Sequence, residues 1–318
     1  MRIAMLGVSH WHAGMHGDAA RAAGGAIGAV WDADGAAAAR FAAAEGGHVV
    51  TSVAAALAER PDLVVGLGTG PGAAALVGEL LEHDVPLLVD KPLGLGAPDV
   101  AVLAGRAERL GRFVAVPLAH RVGPMLSGIA ARREAGTLGA ISNVQFRLNN
   151  GPSHRYRDWG VGWMLDPALS GGGALRNLGV HGLDAFCALA GAQEVRVAHA
   201  AFRRGTTVEE YALVVLRAAD GMLGVVEAGY THADPRGGSY GWRVDAAQAS
   251  LADEGDVLRV ASARAAPEVV PAMPTGDRYR GFMADTLARL AEGRPPAVSL
   301  RDFARASALA DAAYAMAG

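Results

Sequence analysis

The sequence predicts an α/β chain in two parts, a doubly wound parallel sheet followed by an α+β domain with a large, mainly antiparallel sheet. Three observations carry this prediction. Short, fully apolar segments alternate with helical ones through the first third of the chain, the pattern of strands buried on both faces. A glycine turn follows the first apolar segment, and an acid ends the second. After Arg121 the texture changes to strand after strand with few helices between, which an antiparallel sheet accommodates most economically.

In order, Ile3–Leu6 reads as a strand, Ala13–Ala23 as a helix, Ala26–Trp31 as a strand and Gly35–Ala44 as a helix. Asp62–Leu67, Val85–Val89 and Phe113–Val116 read as further strands, separated by helices at Ala73–His83 and Val100–Leu110. The Ala-rich stretches suit helices because Ala has the best helix propensity. In the second part, Val144–Asn149, Val195–Phe202, Tyr211–Arg217, Met222–Tyr230, Trp242–Ala246 and Val257–Ala261 read as strands, with closing helices at Tyr279–Glu292 and Arg301–Met316. The boundary is expected near His120 and Arg121, giving domains 1–120 and 121–318.

Composition narrows the classes. The 318 residues are 51% hydrophobic and 19% charged, enough for a sizeable core, and the net charge of −3 leaves no basic footprint for nucleic acid or an anionic membrane. Cys187 is the single cysteine, so a disulfide framework and a cysteine zinc site within the chain are excluded. It is expected to be a buried, inert thiol. No apolar run approaches membrane-spanning length and the start does not read as a signal peptide, so cytoplasmic residence is the default expectation.

The segment Ser170–Asp184 carries the clearest chemistry. Wound at roughly 100° per residue, Asn177, His181 and Asp184 share one sector, while Leu175, Val180, Leu183, Phe186 and Cys187 cluster opposite. A surface helix with a wet polar stripe is the competing reading. Asp90-Lys91-Pro92 closes an apolar strand far upstream and favours the functional one.

In a doubly wound sheet the ligand sits outside the carboxyl ends of the strands. Gly7, Ser9, His10, Trp11 and His12 occupy the first such end, and Asp32 ends the next strand at the usual distance for a ribose-binding acid. As a dinucleotide fingerprint this is degenerate: Ser9 and His12 stand where bare glycine backbone is usual. Gly68 and Thr69 open a second loop, Gly68 to Ala73, expected beside the cofactor.

These pieces, followed by Arg121-x-x-Pro124, Trp163-x-x-Asp166-Pro167-x-x-Ser170-Gly171-Gly172-Gly173, the Asn177 to Asp184 segment and a closing Gly293-Arg294-Pro295-Pro296, resemble the glucose-fructose oxidoreductase and inositol dehydrogenase (Gfo/Idh/MocA) family over nearly the whole chain. The resemblance implies a Rossmann-type first domain and a nicotinamide-dependent oxidoreductase acting on a sugar, polyol or related compound. It further implies NAD as cofactor with NADP possible, and a homodimer or homotetramer joined through the C-terminal sheet. The family's Glu-Lys-Pro motif is matched by Asp90, Lys91 and Pro92, and its Asp-x-Gly-x-His motif by Asn177-x-Gly179-x-His181. By that match Lys91, Asn177 and His181 are the catalytic candidates, and Arg121 and Trp163 join them in binding substrate. Asn177 departs from the family's Asp, and an amide neither supplies negative charge nor carries a proton.

From the residues alone, His181 is suited to take a hydroxyl proton if Asn177 or Asp184 holds its other nitrogen, while Lys91 polarises the oxygen. Trp31 and Ala33 add no positive charge beside Asp32, which favours NAD over NADP. Two alternatives stand. One is a sensing module that kept the fold and lost turnover. The other is a metal-dependent hydrolase of the barrel type using the His10-x-His12 pair, which would need eight strand-helix units; no metal is the expectation.

Overall fold

The computed structural model describes the chain except residues 206, 235, 264 and 318. Its first part alternates β1 (Arg2–Leu6), α1 (Ala13–Ala22), β2 (Ala26–Trp31), α2 (Gly35–Glu45), β3 (His48–Val49), α3 (Val53–Ala58), β4 (Leu63–Gly66), α4 (Gly70–Leu80), β5 (Leu87–Val89), α5 (Ala97–Arg109) and β6 (Val114–Ala115). The strands form one parallel sheet in the order β3-β2-β1-β4-β5-β6. Met5, Leu6, Leu63, Val64, Val65 and Leu87 are fully buried, which is why the strands read as unbroken apolar runs. The order reverses between β1 and β4, and a doubly wound sheet opens its ligand crevice at that point.

The second part holds α6 (Pro124–Glu134), β7 (Ile141–Asn150), α7 (Arg155–Asp158), α8 (Pro167–Ser170), a π-helical turn at Leu175–Gly179, α9 (Val180–Ala190), β8 (Val195–Arg204), β9 (Glu209–Ala218), β10 (Leu223–Gly229), β11 (Gly238–Ala246), β12 (Ala249–Asp253), β13 (Val257–Ser262), β14 (Glu268–Pro271), α10 (Thr275–Ala291) and α11 (Leu300–Ala317). Its sheet runs β14-β13-β12-β11-β7-β10-β9-β8, antiparallel throughout except where β7 meets β10. The expected fold class is the observed one.

Several short elements escaped the sequence reading. β3 is two exposed residues, α3 is a six-residue helix capped by the Ser52 hydroxyl accepting from Ala55 N, and β14 is a four-residue edge strand. None is long enough to display a period. β12 alternates buried and half-buried residues, but its Ala-Ser-Leu-Ala-Asp sequence lacks the β-branched residues that mark strands.

α9 differs from the expected two-faced helix. Every residue of it except Ala188 is buried, because β7 and β10 cover one side and α11 another. Cys187 lies inside this packing, and burial pushes its thiol up to about 12. The closing helices return to the first sheet: α10 packs on α1, α11 on α5, and Val116 N donates to Val298 O. The two parts are thereby clamped around the carboxyl ends of the parallel strands.

Candidate active site

Gly7 turns the chain out of β1 with φ +77°, and a Cβ there would collide with the Leu67 carbonyl at the end of β4. Only glycine meets both demands. The Asp32 carboxylate ends β2 and ties the turn down, Oδ2 accepting from Ser9 N at 2.7 Å and Oδ1 from Asp34 N at 2.8 Å. An ionised carboxylate has about four acceptor positions, so two remain for a ligand. His12 precedes α1 without capping it by its side chain, which leaves first-turn N–H groups available for an anion. With Gly68 and Thr69 opening α4 across the crevice, these residues fit a dinucleotide, although buried His10 and the Ser9 side chain make the turn bulkier than a glycine-rich one.

At the end of β5 the Lys91–Pro92 peptide is cis. Lys91 is 1% exposed, and its Nζ donates to the Asn177 backbone oxygen at 2.9 Å and to Asn177 Oδ1 at 2.7 Å. Asn177 Nδ2 in turn donates to the Tyr156 hydroxyl at 2.8 Å. The π-helical turn presents both Asn177 oxygens to one ammonium. Burial lowers the Lys91 pKa to about 8, with Asp90 opposing the shift.

Asp90 faces away from Lys91 Nζ. Its Oδ2 meets His12 Nδ1 at 2.7 Å and His16 Nε2 at 2.9 Å, and the Tyr279 hydroxyl lies 3.1 Å from the same His12 nitrogen. Burial works against the Asp90 charge, yet the histidine partners outweigh it and hold the carboxyl well below its ordinary range. Burial brings His12 down to about 4, partly offset by Asp90. His181 and His120 stand with ring centroids 5.0 Å apart. Each has a buried Nδ1 without a hydrogen-bond partner, and burial holds both imidazoles well below 6.5, hence neutral at pH 7.

Lys91, Asn177, His181, Trp11 and His12 line one cavity of about 660 Å³. The other candidates stand elsewhere. Arg121 forks onto Asp184, Nε to Oδ2 and Nη2 to Oδ1 both at 2.7 Å, so Asp184 is not free for His181, and Arg121 does not line the cavity. Trp163 backs Trp11 at 5.6 Å between ring centroids rather than lining the cavity. Gly7, Ser9, Asp32, Gly68 and Thr69 stay outside the cavity at the strand ends, and His10 is buried with its ring stacked on Trp11 at 3.9 Å. The expectation that Asn177 orients His181 is corrected: both ends of its amide are committed, to Lys91 and to Tyr156.

Sequence reading did not assign roles to Tyr156, Arg155, His120, Arg278 and Tyr279, which also line the cavity. The loop holding Arg155 and Tyr156 was visibly rich in donors and rings. Arg278 and Tyr279 lie on α10, far along the chain from the motif helix, and nothing local marks them. His10, His12 and Asp90 offer ligand atoms within 4.8 Å of one another. The His12 and His16 contacts to Asp90 are nevertheless hydrogen-bond lengths, shorter than the roughly 3.3 Å between two donors on a tetrahedral zinc. The open six-stranded sheet also removes the barrel on which the hydrolase alternative depended.

Comparison with known proteins extends the picture. Residues 129–251 match the family model described as the GFO/IDH/MocA C-terminal domain. A search of curated proteins gives no match. Among solved structures, levoglucosan dehydrogenase in complex with NADH and levoglucosan superposes with TM-score 0.87 at 17% identity, covering 100% of this chain and 97% of that one. An oxidoreductase from Agrobacterium radiobacter in complex with NAD+, L-tartaric acid and magnesium gives 0.85 at 20% identity, covering 100% and 96%. An inositol dehydrogenase homolog from Azotobacter vinelandii complexed with NAD+ gives 0.84 at 16% identity, again covering 100% and 96%. Residues 129–251 of this chain thus match the GFO/IDH/MocA C-terminal domain, and the whole chain shares the fold of these solved oxidoreductases.

Proposed function

We propose that the protein is an NAD(P)-dependent oxidoreductase, with NAD preferred, acting on a hydroxyl or keto group of a sugar, polyol or related compound. One observation carries the reading: a fully buried lysine, doubly bonded to Asn177 and facing the same cavity as a neutral histidine, stands at the mouth of a dinucleotide-type sheet. The fold neighbours in complex with NAD+ and NADH support it.

The cofactor, when bound, supplies the hydride acceptor or donor. Gly7, Ser9 and the start of α1 would hold its pyrophosphate, and Asp32 its ribose hydroxyls, where a carboxylate repels an added phosphate. Lys91 as ammonium donates to the reacting oxygen and favours its alkoxide-like form. His181, neutral at pH 7, takes the hydroxyl proton. Its Nδ1 is buried and held by neither Asn177 nor Asp184, which leaves Nε2 as the accepting atom. Asn177 positions Lys91 by its two oxygens and is itself positioned by Tyr156. Self-association is assigned to the sheet face away from α9, where Leu213, Val215 and Val225 are half-buried beside the Arg147–Glu227 pair. Turnover of hydroxylated compounds, followed by nicotinamide absorbance, tests the proposal; cofactor binding without turnover of any class would favour the sensing module.

The Asn177 site gives a pH prediction. Lys91 acts as ammonium, so oxidation rate should fall as pH rises through about 8. Asn177→Asp places a carboxylate where Oδ1 now lies, 2.7 Å from Nζ, and stabilises the charged lysine. The falling limb should then move to higher pH by about one to three pH units. An unmoved limb would show that Lys91 ionisation does not control it.

A further inference from the structure

The cavity walls carry charge of one sign. Among the described residues lining it are Lys91, Arg155, Arg236 and Arg278, and no aspartate or glutamate. Asp90 is turned onto His12 and His16 and lies outside the lining. Only Arg278 has a carboxylate partner, its Nη2 donating to Asp253 Oδ2 at 2.6 Å, and its Nη1 remains buried without an acceptor. Arg155 is the sharper case. Its guanidinium lies 4.3 Å over the Trp159 ring, and both Nε and Nη1 are buried with no partner. A buried charged donor left unpaired is costly, and a guanidinium with N–H groups to spare is suited to the oxygens of a carboxylate or phosphate.

A neutral polyol would need acceptors for its hydroxyl protons. The walls offer cations, neutral imidazoles, the amides Asn150 and Asn177 and hydroxyls such as Ser239, Tyr240 and Thr275, but no carboxylate. Where the resembling family places an aspartate beside the lysine, this chain has Asn177, so the cavity loses a negative charge at the point nearest the chemistry.

We propose that the substrate is an anion: a hydroxylated carboxylic acid or phosphate ester whose acidic group seats on the Arg155 guanidinium, with Arg236 at the rim, while its reacting hydroxyl meets Lys91 and His181. The placement of the reacting hydroxyl rests on the oxidoreductase reading. The anion seat rests on charge and unpaired donors alone. A cavity of about 660 Å³ lies within the range of sites for ligands of this size.

The test uses the full-length protein saturated with NADH, so that a cofactor phosphate cannot be the bound anion. Malonate and inorganic phosphate are titrated by calorimetry at constant ionic strength, with glycerol as neutral control. Both are free of stereochemistry, so failure to bind cannot be blamed on the wrong isomer. The expected result is saturable binding of at least one anion, no binding of glycerol, and a loss of about tenfold to hundredfold in Arg155→Met. Arg155→Lys, which keeps charge but loses the planar guanidinium donors, should fall between. Because Arg236 is exposed, Arg236→Met gives a second variant without a folding risk and should weaken binding more at low salt than at high. Malonate occupancy should be displaced by gluconate or glucose 6-phosphate but not by sorbitol. Absence of anion binding, or binding unchanged in both Arg155→Met and Arg236→Met, overturns the proposal. Turnover of sorbitol or inositol with kcat/KM equal to that of the corresponding acid overturns it too, while leaving the oxidoreductase reading intact. Arg155-dependent anion binding with no turnover of any acid or polyol would instead sustain the anion seat and remove the oxidoreductase reading.

Discussion

Lys91→Met is expected to abolish measurable turnover while leaving the melting temperature near that of the unaltered protein. The rate loss follows from removing the one buried cation that donates at the reacting oxygen. Deleting a single such donor from a preorganised site lowers kcat by about a hundred- to thousandfold. Stability is set by two opposed effects. The substitution leaves both Asn177 oxygens short of a donor, at about 1–3 kcal/mol for an unsatisfied buried group. It also removes a buried ammonium whose pKa is lowered from 10.5 to about 8, a shift that disfavours the folded state wherever the lysine must remain charged. The sign can be checked by pH. The unfolded chain binds the extra proton between about pH 8 and 10.5, so this residue adds stability as pH rises through that window. Lys91→Met should lack that rise. Chemical denaturation at pH 7.5 and pH 10 measures it, and full activity in the variant would remove Lys91 from the chemistry.

His181→Ala is the second large expected effect, a fall in kcat of about a hundred- to ten-thousandfold, the usual scale for a general base. Asn177→Ala should retain more activity. It loosens the lysine without removing the proton acceptor, and its backbone oxygen still accepts from Nζ. Steady-state kinetics with one confirmed substrate compares the two. If both substitutions prove equally harmless, the helix face does not carry the chemistry, and the sensing module becomes the better account.

Much of this arrangement was legible in the sequence because it is local. The apolar runs of β1, β4 and β5 have no polar face to confuse them, so they read correctly as buried parallel strands. Gly7, Asp32 and Lys91 could be placed at strand ends because those ends are fixed in sequence once the strands are. The errors arose where a side chain's partner lies far along the chain. Arg121 looked placed for substrate, but its Nε and Nη2 are held by Asp184 and it stands outside the cavity lining. Asn177 and His181 share a helical sector at 100° per residue, but the π-helical turn redirects the amide to Lys91 and Tyr156. A regular period cannot anticipate an inserted residue. Arg155 stands in a loop whose donors and rings show in the sequence, but that its guanidinium is unpaired is defined by what surrounds it.

The Lys91–Asn177–Tyr156 chain and the Asp90–His12 contact are properties of this molecule whatever it binds. The cofactor is the link between them and a redox function.

Fluorescence titration of the purified protein with NADH and NADPH at matched ionic strength therefore tests the central claim most directly. The account predicts saturable NADH binding, with NADPH weaker because its extra phosphate meets the Asp32 carboxylate, and a narrowed gap between the two in Asp32→Ser. Absence of binding by either dinucleotide would contradict it.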